Sequence, residues 1–151
     1  MLEEAIADYG KQILRYCHGI LCNYHDAQDA VQMTFIKAHK AGSFDVPLLY
    51  RIAYHTCLDL LRKRRRTFFH ASSKDSYEME DKHISEELKN ALMSLNAKDR
   101  ALVLNRVIDE MDYKELAEIY KASPEALRKR YERAKKKLAE HLRGDNENGQ
   151  G

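Results

Sequence analysis

The sequence predicts an all-α fold, with two small helical domains joined by a flexible acidic linker and a helix-turn-helix in the second. Three observations predict it. Apolar residues recur at three- and four-residue spacings through most of the 151 residues, and nothing alternates for long as a strand would. Only two prolines and six glycines occur, too few to punctuate many strands. The net charge of +2 hides a segregation: 10 basic and 7 acidic side chains over 1–66, 2 and 6 over 67–87, 14 and 9 over 88–143, and two acids in the tail. Two basic blocks flanking an acidic connector suit two modules that touch a polyanion, although solvated helix faces give the same tally.

A first helix covers roughly 3–22, with Ile6, Ile13, Leu14, Cys17 and Leu21 inward. A second starts near Asp26, a residue suited to capping, and runs to about Ala41 with Ala27, Ala30, Val31, Phe35 and Ala38 inward. Gly42 and Pro47 break the pattern within "AGSFDVP". The third helix, about 48–66, buries Leu49, Ile52, Ala53, Thr56, Cys57, Leu60 and Leu61, leaving Arg51, His55, Asp59, Arg62 and Arg66 on its other face. Residues 67–84 have no sustained period and four close acids, Asp75, Glu78, Glu80 and Asp81, so they form the linker. Helices near 85–95, 97–110, 113–121 and 124–142 make the second domain, 85–143, and 144–151 is a frayed tail.

Several function classes are excluded. No apolar run approaches the ~20 residues needed to cross a bilayer, and no signal-peptide pattern opens the chain, so a cytoplasmic protein without membrane insertion is expected. The odd set of Cys17, Cys22 and Cys57 fits reduced core thiols better than a disulfide framework. Cys17 and Cys22 with His18 and His25 do not suggest zinc, because five residues on a helix turn ligands about 140° apart. There is no Gly-rich phosphate loop and no catalytic carboxylate pair, so neither metal, cofactor nor enzymatic activity is expected.

The C-terminal helices carry the chemistry. Asp112 and Glu115 make a D-x-x-E box ahead of Leu116, Ala117 and Ile119. Ser123 caps the next helix, with Pro124 at its first position and Glu125 in its first turn. That helix, "SPEALRKRYERAKKKL" (123–138), places seven Lys or Arg in sixteen positions while Leu127, Tyr131, Ala134 and Leu138 keep a buried stripe. Two short helices, a three-residue connection and a basic second helix describe a helix-turn-helix, whose second helix enters the major groove. Ala126, Lys129, Arg133 and Lys136 share its outward face, flanked by Arg128 and Glu132. A membrane-surface helix would instead expose large apolar residues beside its lysines.

These residues resemble a known family. "LNAKDRALVLNRVIDEMDYKELAEIYKASPEALRKRYERAKKKL" (95–138) is similar to the C-terminal promoter-reading domain of bacterial extracytoplasmic-function (ECF, group 4) RNA polymerase sigma factors. "DAQDAVQMTFIKAHK" (26–40) and "YRIAYHTCLDLLRKRRR" (50–66) are similar to the N-terminal domain of the same factors. The resemblance implies a protein that binds core RNA polymerase and directs promoter recognition, melting and transcription initiation. It makes 1–66 the region 2 domain and 85–143 the region 4 domain. It implies that Arg106, Ala126, Arg128, Lys129, Glu132 and Arg133 lie at the −35 element. Phe44, Tyr50, Arg51, Tyr54, His55, Arg62 and Arg66 fall in the part that recognises and melts the −10 element, where aromatic and cationic groups trap unstacked bases. Packing at the domain edge accounts equally well for Tyr50 and Tyr54. Asp26, Asp29, Gln32, Met33, Ile36 and Lys37 are the implied polymerase contacts, with Met33 and Ile36 left pointing outward. The implied partners are the clamp of the largest polymerase subunit, the flap of the second-largest, promoter DNA and an anti-sigma factor.

The chain also departs from the family pattern. A Trp common before the Tyr-Arg-Ile-Ala run is absent, His55 replaces Asn, Met33 replaces Glu, and Lys121 replaces the Gly of the C-terminal turn. The acidic linker suits either a plain tether or a phosphate mimic inside the polymerase. Two other functions share most of these features: a helix-turn-helix regulator acting without polymerase, and a helical protein-binding adaptor.

Overall fold

The computed structural model describes residues 1–67 and 85–149, and the chain divides into two compact units, Met1–His83 and Ile84–Gly151. The connector 68–84, with Asp75, Glu78, Glu80 and Asp81, and the Arg66 side chain lie outside the described residues.

The first unit is three helices: α1 (Leu2–Leu21), α2 (Tyr24–Ala41) and α3 (Val46–Thr67). α1 contributes Ile13, Tyr16, Cys17, Ile20 and Leu21 to the core, and α2 contributes Ala27, Ala30, Phe35 and Ala38. The alanines bring the helix backbones close, so the larger rings of Tyr16 and Tyr50 can fill the α1–α3 seam edge to face, 5.0 Å apart. The Tyr50 hydroxyl hydrogen-bonds Gln12 Oε1 at 3.3 Å, so the ring's polar tip is satisfied. Both turns reverse through left-handed residues: Cys22 (φ 53) after α1 and Gly42 (φ 79) after α2.

Several sequence expectations shift here. Asn23, not Asp26, caps α2, its side chain accepting from the Asp26 N–H at 2.9 Å. Asp26 instead pairs with Arg64 across 38 residues. Ile6 is exposed beside the buried Ala5, and Leu14 and Val31 are half-buried. α3 buries Tyr50, Tyr54 and Leu58, while Ile52, Leu60 and Leu61 are only partly covered. It packs against both α1 and α2, so its buried arc is wider than a single stripe and takes in the tyrosines. Pro47 sits in the first turn of α3 rather than in the break, where its missing N–H costs nothing.

The second unit contains α4 (Glu86–Met93), α5 (Ala97–Val107), α6 (Tyr113–Tyr120) and α7 (Pro124–Gly149). Ser85 caps α4 and Asn96 caps α5; Asp112 and Glu115 form a reciprocal capping box on α6. Ser123 Oγ accepts from the Ala126 N–H at 3.1 Å and caps α7. The core holds Leu102, Leu116, Ile119 and Leu127, with Tyr131 and Leu138 packed on a cluster of Leu95, Val103 and Ala134. The predicted stripe of α7 is therefore the buried one. α7 runs on through Gly149, where a frayed tail was expected from 144.

Candidate nucleic-acid and polymerase surfaces

The expected helix-turn-helix falls on α6, the turn Lys121–Ser123 and α7. Lys121 ends α6 in the left-handed region (φ 54), its N–H returning to Ala117 O at 2.9 Å. The position that favours Gly is thus occupied by a residue with a Cβ, held by the flanking caps. From this turn α7 presents Ala126, Arg128, Lys129, Glu132, Arg133 and Lys136 to solvent. Glu132 lies 3.8 Å from Lys135, an exposed contact that moderates the positive face. Arg130 turns inward to Asp99 of α5 at 3.5 Å, which leaves the outward set for a partner.

Arg106 differs from the rest of the set implied for the −35 element. It is half-buried at the end of α5, with its guanidinium carbon 5.0 Å from the Tyr113 ring and 5.9 Å from the Tyr131 ring. Its Nη1 donates to Met111 O at 3.2 Å. Hydrogen bonding to Tyr113 raises its pKa further above the ordinary arginine value, so the charge on this group is fixed. The residue before it, Asn105, is fully buried. Its Nδ2 donates to Asp109 at 2.9 Å and its Oδ1 accepts from the Tyr120 hydroxyl. Tyr113 and Asn105 were not singled out from sequence, and Tyr131 was read only as part of the buried stripe, because nothing in helical periodicity tells an aromatic packing on apolar neighbours from one under a guanidinium.

The residues implied for the −10 element separate into two groups. Tyr50 and Tyr54 are buried, at 1% and 8% exposure, and serve packing; their rings are not available to stack on unpaired bases. Of the two readings of these tyrosines, burial favours packing over a place on the melting surface. His55 is exposed against the Tyr54 ring at 5.2 Å, Arg51 is half-buried, and Arg62 is exposed beside Asp59 at 2.7 Å. Phe44 is half-buried and stacks on His39 at 6.3 Å and 24° between planes, so the short loop brings forward a histidine that sequence reading passed over.

On α2, Asp29, Gln32 and Ile36 face solvent. Met33 is half-buried, contrary to its expected outward position. With Lys37, Asp59, Leu60, Arg62 and Lys63 it lines a cavity of about 300 Å³ between α2 and α3. Lys37 Nζ donates to the buried Thr56 hydroxyl at 3.0 Å, and Asp26 holds Arg64. Both are therefore engaged within the unit, bracing α2 against α3, because the two helices lie close enough for long side chains to bridge them. Cys17 and Cys57 are core thiols, and no group of His, Cys, Asp or Glu among the described residues could hold a metal. No helix among them is long and apolar enough to cross a membrane.

Comparison with known proteins agrees with this fold. A family model described as Sigma-70 region 2 matches residues 5–67, and one described as Sigma-70, region 4 matches 85–138. The chain is similar to the ECF RNA polymerase sigma factor SigW of Bacillus subtilis, 28% identical over 169 residues that span 93% of this chain and 90% of that one. It is 26% identical over 157 residues to the ECF sigma factor SigE of Mycolicibacterium smegmatis, covering 93% of this chain and 61% of the relative. In fold it resembles the sigma factor RpoE of Bartonella quintana, solved with the anti-sigma factor NepR, at a TM-score of 0.75 and 21% identity, over 93% and 96% of the two chains. It also resembles CnrH, solved with the cytosolic domain of CnrY, at 0.72 and 23%, over 95% and 88%. With the two matched regions in order over most of its length, the chain belongs to the sigma-70 family, among the ECF RNA polymerase sigma factors.

Proposed function

We propose that this chain binds core RNA polymerase and directs it to one class of promoters, with α7 reading the −35 element and α3 with its preceding loop engaging the −10 element. The observation that carries this is the capped helix-turn-helix whose recognition helix leaves Ala126, Arg128, Lys129, Glu132 and Arg133 exposed together. Arginine there can bond guanine edges bidentately while the lysines neutralise phosphates. At the −10 element the groups in position are Phe44 with His39, and His55 with Arg51 and Arg62; Arg66 continues the same basic helix in sequence.

Core polymerase docks on the outer face of α2 through Asp29, Gln32 and Ile36, with Met33 at the edge of the groove and the clamp of the largest subunit as the partner. The flap of the second-largest subunit meets the second unit. The protein is not itself an enzyme but supplies promoter choice to one, acting in the cytoplasm. An anti-sigma factor is the expected antagonist, supported by the similar RpoE, which was solved with one. Co-purification with core polymerase, followed by run-off transcription on promoters selected from a random pool, tests the reading. A polymerase-dependent transcript supports it. Binding to a palindrome without polymerase would make the chain a simple regulator, and binding to polymerase or another protein without any DNA preference would make it an adaptor.

A further inference from the structure

We infer that Arg106 is a positioning residue that sets the aim of the recognition helix through the faces of Tyr113 and Tyr131, rather than a contact to DNA. The inference rests on the proposed reading that α7 recognises the −35 element.

An arginine that reads a base edge or clamps a phosphate needs its fork of N–H groups free and turned outward. Arg106 commits much of that fork inside the unit. Its guanidinium carbon lies 5.0 and 5.9 Å from the centroids of two aromatic rings, within the range in which a cation is attracted to a ring. Its Nη1 is committed to Met111 O at 3.2 Å, and its Nε is buried without a hydrogen-bond partner among the described residues. A side chain that tolerates an unpaired buried N–H is held by what surrounds it, here two rings and a carbonyl.

The placement of those rings gives the contact its meaning. Tyr113 is the first residue of α6 and Tyr131 lies on α7 between Leu127 and Ala134. Arg106 therefore joins the end of α5 to the start of the first helix of the motif and to the middle of the second. Asn105 secures the far end of the first helix through Tyr120 and accepts the Met111 N–H on its carbonyl at 3.1 Å. This end of α5 holds the motif at three points, Tyr113, Tyr120 and Tyr131, and Arg106 touches both of its helices. Lys135 Nζ lies 5.6 Å from the Tyr131 ring, so a second cation is drawn to the same ring. The Arg130–Asp99 pair and the Leu95–Val103–Ala134 cluster join α5 to α7 independently. Loss of Arg106 should then leave the unit folded but the helix loosely aimed, and base-edge hydrogen bonds weaken steeply off their preferred angles.

The test uses the full chain assembled with core polymerase. A pool randomised over the −35 element first gives the preferred sequence of the wild-type holoenzyme; absence of any preference would sink the proposed reading itself, separately from this inference. Affinity for the preferred and a scrambled −35 element is then measured across a KCl series for wild type, Arg106→Lys, Arg106→Gln and Tyr113→Leu. A positioning role predicts that Arg106→Lys, which keeps the charge but not the planar face, lowers discrimination about tenfold without changing the salt slope. Tyr113→Leu should do the same, and the double variant Arg106→Lys/Tyr113→Leu should be no worse than either alone. The inference is overturned if Arg106→Lys behaves as wild type while Arg106→Gln weakens all sequences equally with a slope shallower by about 0.9, the mark of one phosphate contact. Loss confined to one base pair, with Tyr113→Leu unaffected, would overturn it in favour of a base contact. Should Arg106→Lys fail to fold, Tyr113→Leu decides alone: reduced discrimination supports positioning, and wild-type discrimination removes it.

Discussion

Two residues of the helix-turn-helix make opposite demands on their surroundings. Lys121 holds a left-handed backbone at φ 54, which costs an L-residue about 1–2 kcal/mol. Gly gives back roughly 0.5–1 kcal/mol of that gain as chain entropy. Lys121→Gly should therefore stabilise the second unit by a few tenths to about 1 kcal/mol, seen as a higher urea midpoint at unchanged slope. Arg133 is exposed and shares its face with Lys129. Arg133→Ala should cost about 1–3 kcal/mol at the preferred −35 sequence and little elsewhere, measured by holoenzyme binding to a promoter panel. At this scale sequence showed which residues were cationic and outward on α7, since helical spacing alone decides that. It could not show that Asp26 and Lys37 are engaged by Arg64 and Thr56, because those partners lie 38 and 19 residues away. Nor could it choose between packing and base stacking for Tyr50 and Tyr54, since a tyrosine suits both until its neighbours are known.

Helix ends were the most legible features, because caps are local. The capping box of α6, Ser123 before α7 and the reversal at Gly42 all stand where the sequence placed them. The start of α2 was misplaced because Asn23 and Asp26 are three residues apart and either side chain can cap; the first of them does. The buried arc of α3 was read too narrowly, since a stripe calculation assumes one neighbour and α3 has two. Asp112→Ala removes one acceptor of the capping box while the helix face stays intact. It should destabilise the second unit by about 1 kcal/mol in a denaturant titration, and Asp112→Asn or Asp112→Ser should restore most of it. An unchanged midpoint would mean that α6 is held by Asn105 and the core alone.

For the molecule as a whole, the all-helical class was legible from periodicity and the basic character of both helical blocks from composition, whereas the surfaces open to a partner depend on which side chains the fold has already used. Asp29 and Ile36 are exposed, Ile36 at 52%, and neither contributes to the core. Replacing them together, Asp29→Lys with Ile36→Glu, should weaken core polymerase binding by roughly 2–5 kcal/mol without lowering the melting temperature. A pull-down beside a thermal melt checks both halves. Normal binding by the variant would move the dock away from this face, and a lowered melt would show that α2 depends on them.

The buried thiols of α1 and α3 give the first unit a built-in clock. The hydrogen bond to Cys57 and then burial push the Cys17 thiol well above its ordinary range, so in the native state it is almost never a thiolate and has no path to a reagent. Alkylation of Cys17 must wait for the helices to part, which makes its rate a count of opening events. Cys22 in the same chain, only partly buried, supplies the reference. The sign with pH follows from the same shift. The unfolded chain loses its thiol proton near pH 8.5 while the folded one keeps it, so stability of this unit should fall as pH rises beyond that point. Labelling of Cys17 relative to Cys22, followed by mass spectrometry between pH 7 and about 10, should therefore accelerate with alkali more steeply than the chemistry of a free thiol. A constant ratio across that range would mean that opening of this seam is not linked to ionisation of the Cys17 thiol.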